Sequence, residues 1–143
     1  MYKGDNMNYK DTLLDHFQAI NGKRLTDLHL ACEMMMFSFE KFALHAQCLT
    51  RIIREDDKNN DEWYFVKQYK ESIIGGVVTS VNISSLYDVI IVLNNGIRIE
   101  LINKNGYHHF DDECEQWRFF KVEDCSHPHI TVYNKTVDIA VNW

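Results

Sequence analysis

The feature that most constrains the fold is a series of short segments in which apolar and polar residues alternate. The clearest are residues 77–83 and 97–101, and the intervening residues 89–93 are continuously apolar. Alternation with a period of two is typical of a strand with one buried face. Asn95-Gly96 separates residues 89–93 from residues 97–101 and favours a type I′ hairpin turn, which needs positive φ at both central residues. The chain is therefore expected to build antiparallel sheet from strands that follow one another.

Two helices and further strands complete this pattern. Apolar residues at helical spacing predict a helix over 11–19 and a second over 60–74, each followed by a glycine-containing stop signal. Strand patterns recur over 23–54 and 117–141. The sequence thus predicts an α+β fold with one curved, mainly antiparallel sheet of about seven to nine strands and two helices. With 143 residues, of which 45% are apolar and one is proline, a single domain over 1–143 is expected.

The charge balance narrows the classes of partner. Acidic residues number 21 against 15 lysines and arginines, which gives a net charge of −6. Nucleic acid is not expected as a partner because phosphate binding requires clustered positive charge, whereas a basic protein suits this chain. No apolar run approaches the roughly 18 residues of a membrane span, so a cytoplasmic protein with no membrane partner is expected. The four cysteines form no CxxC pair, and we expect them to be reduced.

Two blocks carry a resemblance to other proteins. Residues 42–52 read Phe-Ala-Leu-His-Ala-Gln-Cys-Leu-Thr-Arg-Ile, and residues 115–120 read Glu-Gln-Trp-Arg-Phe-Phe before the strand pattern of 129–132. Together with residues 22–27 they resemble the motifs of a family of small, uncharacterised bacterial proteins. The resemblance covers most of the chain, although Leu49-Thr50 stands where Pro-Trp is expected. This family has no established activity, so the resemblance implies kinship and no particular chemistry.

One candidate surface follows from the first block. If residues 43–53 form a single strand, the apolar even positions share one face, and His45, Gln47 and Arg51 project together from the other. Such a polar strand face can bind a carboxylate or the backbone of a partner. It can equally be a hydrogen-bonded network that holds the fold together, because buried polar groups need partners.

A second candidate surface lies around the other block. The acidic run Asp111, Asp112 and Glu113 precedes Trp117 and Arg118. Tryptophan and arginine beside acidic residues are suitable contacts for a basic protein surface. Together with size, acidity and the α+β pattern, these residues favour a non-enzymatic protein-binding module. It would resemble the immunity proteins that neutralise bacterial toxins, with a basic toxin domain as the partner.

Two other classes of function stay open. Cys125, His127 and His129 suggest a zinc site because strand residues two apart share a face, although their spacing is not a zinc signature. With the acidic run, such a site would make a metal-dependent hydrolase. The chain has no glycine-rich phosphate loop, GxSxG or HExxH motif, so we expect no enzyme and no cofactor. A concave sheet face would instead suit a small-molecule sensor, and exposed edge strands would allow a homodimer.

Overall fold

The computed structural model describes residues 9–31, 34–54, 70–103, 114–122, 129–133 and 136–140. Within these ranges one α-helix, α1 (Lys10–Phe17), continues into a 3₁₀ turn at Gln18–Ile20. Residues 70–73 are also helical, whereas residues 60–69 of the second predicted helix lie outside the described residues. The same ranges contain ten strands: β1 (Leu25–Ala31), β2 (Met34–Phe39), β3 (Phe42–Ala46), β4 (Leu49–Arg54), β5 (Val78–Ile83), β6 (Val89–Leu93), β7 (Ile97–Ile102), β8 (Glu115–Lys121), β9 (His129–Tyr133) and β10 (Val137–Ala140).

The strands of the described residues form two sheets, and every pairing is antiparallel. One sheet has six strands in the order β1-β2-β3-β8-β9-β10, and the other has four in the order β4-β7-β6-β5. The α+β class and the antiparallel pairing are therefore confirmed. The prediction of one sheet with seven to nine strands is wrong, because the ten strands divide into two sheets.

The chain changes sheets between β3 and β4. The backbone N–H groups of Gln47 and Cys48 both donate to the carbonyl oxygen of Gln116, at 2.8 and 3.0 Å, and thereby end β3. β3 pairs with β8, whereas β4 pairs with β7 in the other sheet. The prediction of one continuous strand over 43–53 is therefore wrong. The apolar alternation continues from β3 into β4 because both strands face the same core. Leu44 of β3 and Ile52 of β4 are both fully buried.

The core lies between the inner faces of the two sheets and is closed by α1. Buried side chains of both sheets belong to a single hydrophobic cluster. Phe17 of α1 stacks on Phe119 at 4.3 Å between ring centroids and meets Trp117 edge-on at 5.7 Å. The same helix also contacts β5 of the four-stranded sheet. The prediction of one domain over 1–143 extends past the described residues and stays a prediction.

The β6–β7 hairpin is present, but its turn differs from the predicted type. Gly96 has φ +82°, whereas the non-glycine residues with positive φ in the described ranges are Glu40 and Tyr87. A type I′ turn would need positive φ at Asn95 as well, so that prediction is wrong. The Asn95 side chain instead donates to the carbonyl oxygens of Ser72 and Ile73 at 3.3 and 3.0 Å. It thereby caps the helical turn of residues 70–73.

Candidate functional site

The outer face of the six-stranded sheet gathers polar residues from distant parts of the chain. The strand register places one residue of each strand in a single row across this face. In order from β1 to β10 the row is His29, Met36, His45, Arg118, Thr131 and Asp138. Directly opposed residues of neighbouring antiparallel strands are close enough for their side chains to interact. The antiparallel pairing thus brings His45 of the first block beside Arg118 of the second.

Four side chains on or next to the two middle strands of this sheet, β3 and β8, form what we call the outer-face cluster: His45, Gln47, Glu115 and Arg118. Glu115 Oε1 accepts a hydrogen bond from Arg118 Nη2 at 2.5 Å, and Glu115 Oε2 accepts one from Gln47 Nε2 at 3.4 Å. The Arg118 side chain is 38% exposed and that of Glu115 is 17% exposed. The carboxylate is therefore mostly shielded, whereas the guanidinium keeps a solvent-facing part for an additional contact.

Aromatic rings border the outer-face cluster. His45 meets Phe120 edge-on, with ring centroids 5.1 Å apart and an interplanar angle of 85°. Phe120 in turn stacks on His129 at 5.3 Å and 18°. His129 thus stacks on an aromatic ring of the same face, whereas Cys125 and His127, its predicted partners in a zinc site, lie outside the described residues. The result is a mixed polar and aromatic surface at the centre of the sheet.

The surroundings of His45 lower its pKa and favour the neutral imidazole. Burial lowers the pKa of His45 below its usual 6.5, the cation of Arg118 lowers it further, and the carboxylate of Glu115 opposes both. The imidazole is therefore neutral at pH 7. A neutral imidazole has one donor and one acceptor nitrogen, so it can pair with either kind of group on a binding partner.

Two buried polar atoms on this row are unsatisfied. Within the described part of the chain, Arg118 Nε and Asp138 Oδ1 have no hydrogen-bond partner. A buried polar atom without a partner costs about 1–3 kcal/mol, and a partner could satisfy these two atoms only if their side chains turned outward. One of these atoms is a donor and the other an acceptor, and Thr131 separates their residues on the row.

The other residues predicted for the partner-binding surface lie elsewhere. Trp117 has no exposed surface, and its indole Nε1 donates to the carbonyl oxygen of Tyr87 at 2.9 Å. It is a core residue that cannot contact a partner in this structure, because alternation along β8 turns it to the face opposite Arg118. Asp111, Asp112 and Glu113 lie outside the described residues. Arg118 pairs with Glu115, an acid of its own strand.

Arg51 is separated from His45 and Gln47 by the change of sheet. It lies on β4, opposite Glu100 of β7, on the outer face of the four-stranded sheet. Arg51 and Arg98 both form ion pairs with Glu100 there. The predicted polar strand face therefore divides, with His45 and Gln47 on one sheet and Arg51 on the other. The alternating positions Arg98 and Glu100 are visible in the sequence, but their meeting with Arg51 requires the β4–β7 pairing.

The described residues hold no grouped metal ligands and no membrane-spanning helix. In the described ranges, no three His, Cys, Asp or Glu side chains are grouped as a metal site would require. The part of the chain that the structure describes has no helix both long enough and apolar enough to cross a membrane. Comparison of the chain with protein-family models, curated proteins and solved structures finds no match. The resemblance to the small bacterial family therefore stays a prediction.

Proposed function

We propose that this chain is a non-enzymatic protein-binding domain whose contact surface is the outer face of the six-stranded sheet. The observation that carries the proposal is the outer-face cluster, in which Arg118 is partly exposed and held by Glu115. Arginine and aromatic side chains are enriched at the centres of protein interfaces. Glu115 fixes the guanidinium in place, so less conformational entropy is lost when a partner binds.

The dimensions of the face favour a macromolecule over a small ligand. Six strands spaced about 4.8 Å apart make a surface about 24 Å wide. The six strands have four to seven residues, and a typical strand of five or six residues is about 17–20 Å long, so the area of this face is on the order of 500 Å². That is a large part of the ~800 Å² that each partner buries in a standard interface. The residues bordering the sheet can supply the remainder.

The partner that fits best is a basic protein domain, as for the immunity proteins that neutralise toxins. The net charge of −6 would accelerate its association by electrostatic steering. At short range, Asp138 adds a carboxylate to this face, and its buried Oδ1 would have to turn outward to accept a hydrogen bond from a lysine, an arginine or a backbone N–H. The exposed part of the Arg118 guanidinium can donate to a backbone carbonyl of the same partner.

The experiment is affinity capture from the native cells, followed by affinity measurement with the purified partner and two matched variants. Arg118→Gln removes the central guanidinium, while Lys121→Gln makes the same charge change at the end of the same strand. We expect Arg118→Gln to weaken binding about tenfold or more, because a hydrogen-bonded charge at an interface centre is lost. Lys121→Gln should bind like the wild type. Equal affinities of the wild type, Arg118→Gln and Lys121→Gln for the partner would refute the assignment of binding to this surface.

The metal-dependent hydrolase gains no support from the geometry. Of the three zinc ligands proposed for it, His129 alone lies in the described ranges, and His129 stacks on Phe120. Metal analysis of the protein purified for the capture experiment tests this alternative directly. Stoichiometric zinc without a protein partner would favour it over the binding domain.

A further inference from the structure

The outer face of the four-stranded sheet carries a second, chemically different surface. A groove of about 460 Å³ crosses β4, β7 and β6 beside the β6–β7 turn. It is lined by Arg51, Ile53, Arg54, Val92, Gly96, Ile97 and Arg98. The register places Arg98 opposite Ile53 on one side and Val92 on the other, so a charged residue lies in one row with two apolar residues.

Two of the three arginines that line this groove share one carboxylate, that of Glu100. Glu100 Oε2 lies 3.0 Å from Arg98 Nε, and Glu100 Oε1 lies 3.4 Å from Arg51 Nη1. The Glu100 side chain is 12% exposed, whereas those of Arg51 and Arg98 are 52% and 49% exposed. A single negative charge cannot neutralise two guanidinium groups, so this trio keeps a net positive charge. Glu100 also restrains both arginines and reduces the entropy that a ligand would have to remove.

The rest of the lining indicates what kind of anion would fit. Ile53 and Val92 are partly exposed and offer apolar contact, and Gly96 has no side chain to occupy the groove. The volume falls within the ~300–1,000 Å³ of small-molecule sites. Guanidinium groups match carboxylate and phosphate oxygens through paired N–H donors. The groove therefore combines an anion-binding end with walls that would bury a compact apolar body.

We propose that this groove binds a small organic anion, in which a carboxylate or a phosphate is attached to a compact apolar group. The charged group contacts Arg51 and Arg98, and the apolar group lies against Ile53 and Val92. Because the groove is on the other sheet, this site is independent of the protein-binding surface around Arg118.

The test is titration of the purified full chain with phenyl phosphate, benzoate and phenol in separate experiments. Binding is monitored through the NMR chemical shifts of the backbone amides. Saturable binding of phenyl phosphate or benzoate, with shifts centred on Ile53, Val92 and Gly96, is the expected result. Binding of one anion alone assigns the ligand to phosphates or to carboxylates. Phenol has the ring without the anion, so binding of phenol as tight as that of the anions would overturn the proposal. Shifts centred outside the groove would overturn it as well.

Three variants make the test specific. Arg51→Gln and Arg98→Gln should each weaken anion binding about tenfold, because each removes a charge-assisted hydrogen bond. Each leaves Glu100 paired with the remaining arginine, which protects the fold. Lys121→Gln makes the same change in net charge on the other sheet and should bind like the wild type. Equal loss in all three variants would show a general charge effect and overturn the site. If an arginine variant fails to fold, the wild-type shift map still decides the question.

Discussion

The outer faces of the two sheets differ in how they balance arginine against glutamate. On the six-stranded sheet, Glu115 pairs with Arg118, and the neighbouring His45 is held neutral. On the four-stranded sheet, Glu100 is shared by Arg51 and Arg98. The first face is broad, nearly neutral and bordered by aromatic rings, whereas the second is narrower and positive. An acidic chain thus presents two surfaces of different local charge, for which we propose a protein and a small anion as the respective ligands.

The largest expected effect comes from the core on which both faces depend. Trp117 is fully buried and contacts Phe17 at the back of the strand that carries Arg118. Trp117→Ala should lower the free energy of unfolding by about 3–5 kcal/mol through lost burial and a cavity. Urea unfolding followed by circular dichroism measures this change. A loss below about 1 kcal/mol would contradict the placement of Trp117 in the core.

Trp117→Phe separates the packing of this residue from its hydrogen bond. It keeps an aromatic ring beside Phe17 but leaves the Tyr87 carbonyl oxygen without the indole donor. We expect a smaller loss, of about 1–3 kcal/mol, since an unsatisfied buried acceptor costs this much. A loss equal to that of Trp117→Ala would show that the aromatic contact with Phe17 contributes little.

The contrast between the two carboxylates can be measured directly. Glu100→Gln leaves two neighbouring guanidinium groups uncompensated, whereas Glu115→Gln leaves one. We therefore expect Glu100→Gln to destabilise the protein by about 1–2 kcal/mol and Glu115→Gln by about half as much. The exposed Glu71 provides a control, since Glu71→Gln should change stability by less than about 0.5 kcal/mol. Equal losses of unfolding free energy in Glu100→Gln and Glu115→Gln would contradict the electrostatic difference between the two faces.

The neutral state of His45 predicts a pH dependence of the six-stranded sheet. Its pKa is lowered in the folded state, so the unfolded chain binds the proton more readily. The stability gained from a neutral His45 is present above pH 6.5, its ordinary pKa, and is lost as the pH falls through the lower folded value. Unfolding free energies measured across this range should decrease toward acid. His45→Asn should flatten the change, and an unchanged slope would assign it to other groups.

The smallest expected effect is at Asp27, on the edge strand of the six-stranded sheet. Asp27 on β1 accepts a hydrogen bond from the Leu28 N–H and pairs with Lys70, and these contacts lower its pKa below 3.8. The group is exposed, so Asp27→Asn should cost only a few tenths of a kcal/mol. The contribution is present above pH 3.8 and is lost as the pH falls below it. A loss above about 1 kcal/mol in urea unfolding at neutral pH would contradict this contrast between edge and centre.

Sequence patterns predicted which side chains face the core more reliably than which sheet holds them. Leu44 and Ile52 are both buried as the alternation predicts, although they belong to different sheets. Alternation reports only whether a residue faces the core. The change of sheet at Gln47 and Cys48 depends on the Gln116 carbonyl, which is distant in sequence, so no local pattern reveals it.

The candidate sites show the same limit. Arg118 and His45 were each singled out from the sequence, but their neighbourhood depends on the pairing of β3 with β8. The groove around Arg98 was missed because its charge arises from the β4–β7 pairing. Trp117 was misplaced because an aromatic residue next to an arginine suits an interface, while its own burial is decided by α1 packing against it.

The most direct test of the two-surface account measures partner affinity after removal of one arginine from each outer face. Arg118→Gln and Arg51→Gln make the same chemical change and the same charge change on opposite sheets. The account predicts that Arg118→Gln weakens binding of the purified protein partner about tenfold or more, while Arg51→Gln leaves it unchanged. Loss of binding with Arg51→Gln and retention with Arg118→Gln would contradict the assignment of the protein-binding surface to the six-stranded sheet.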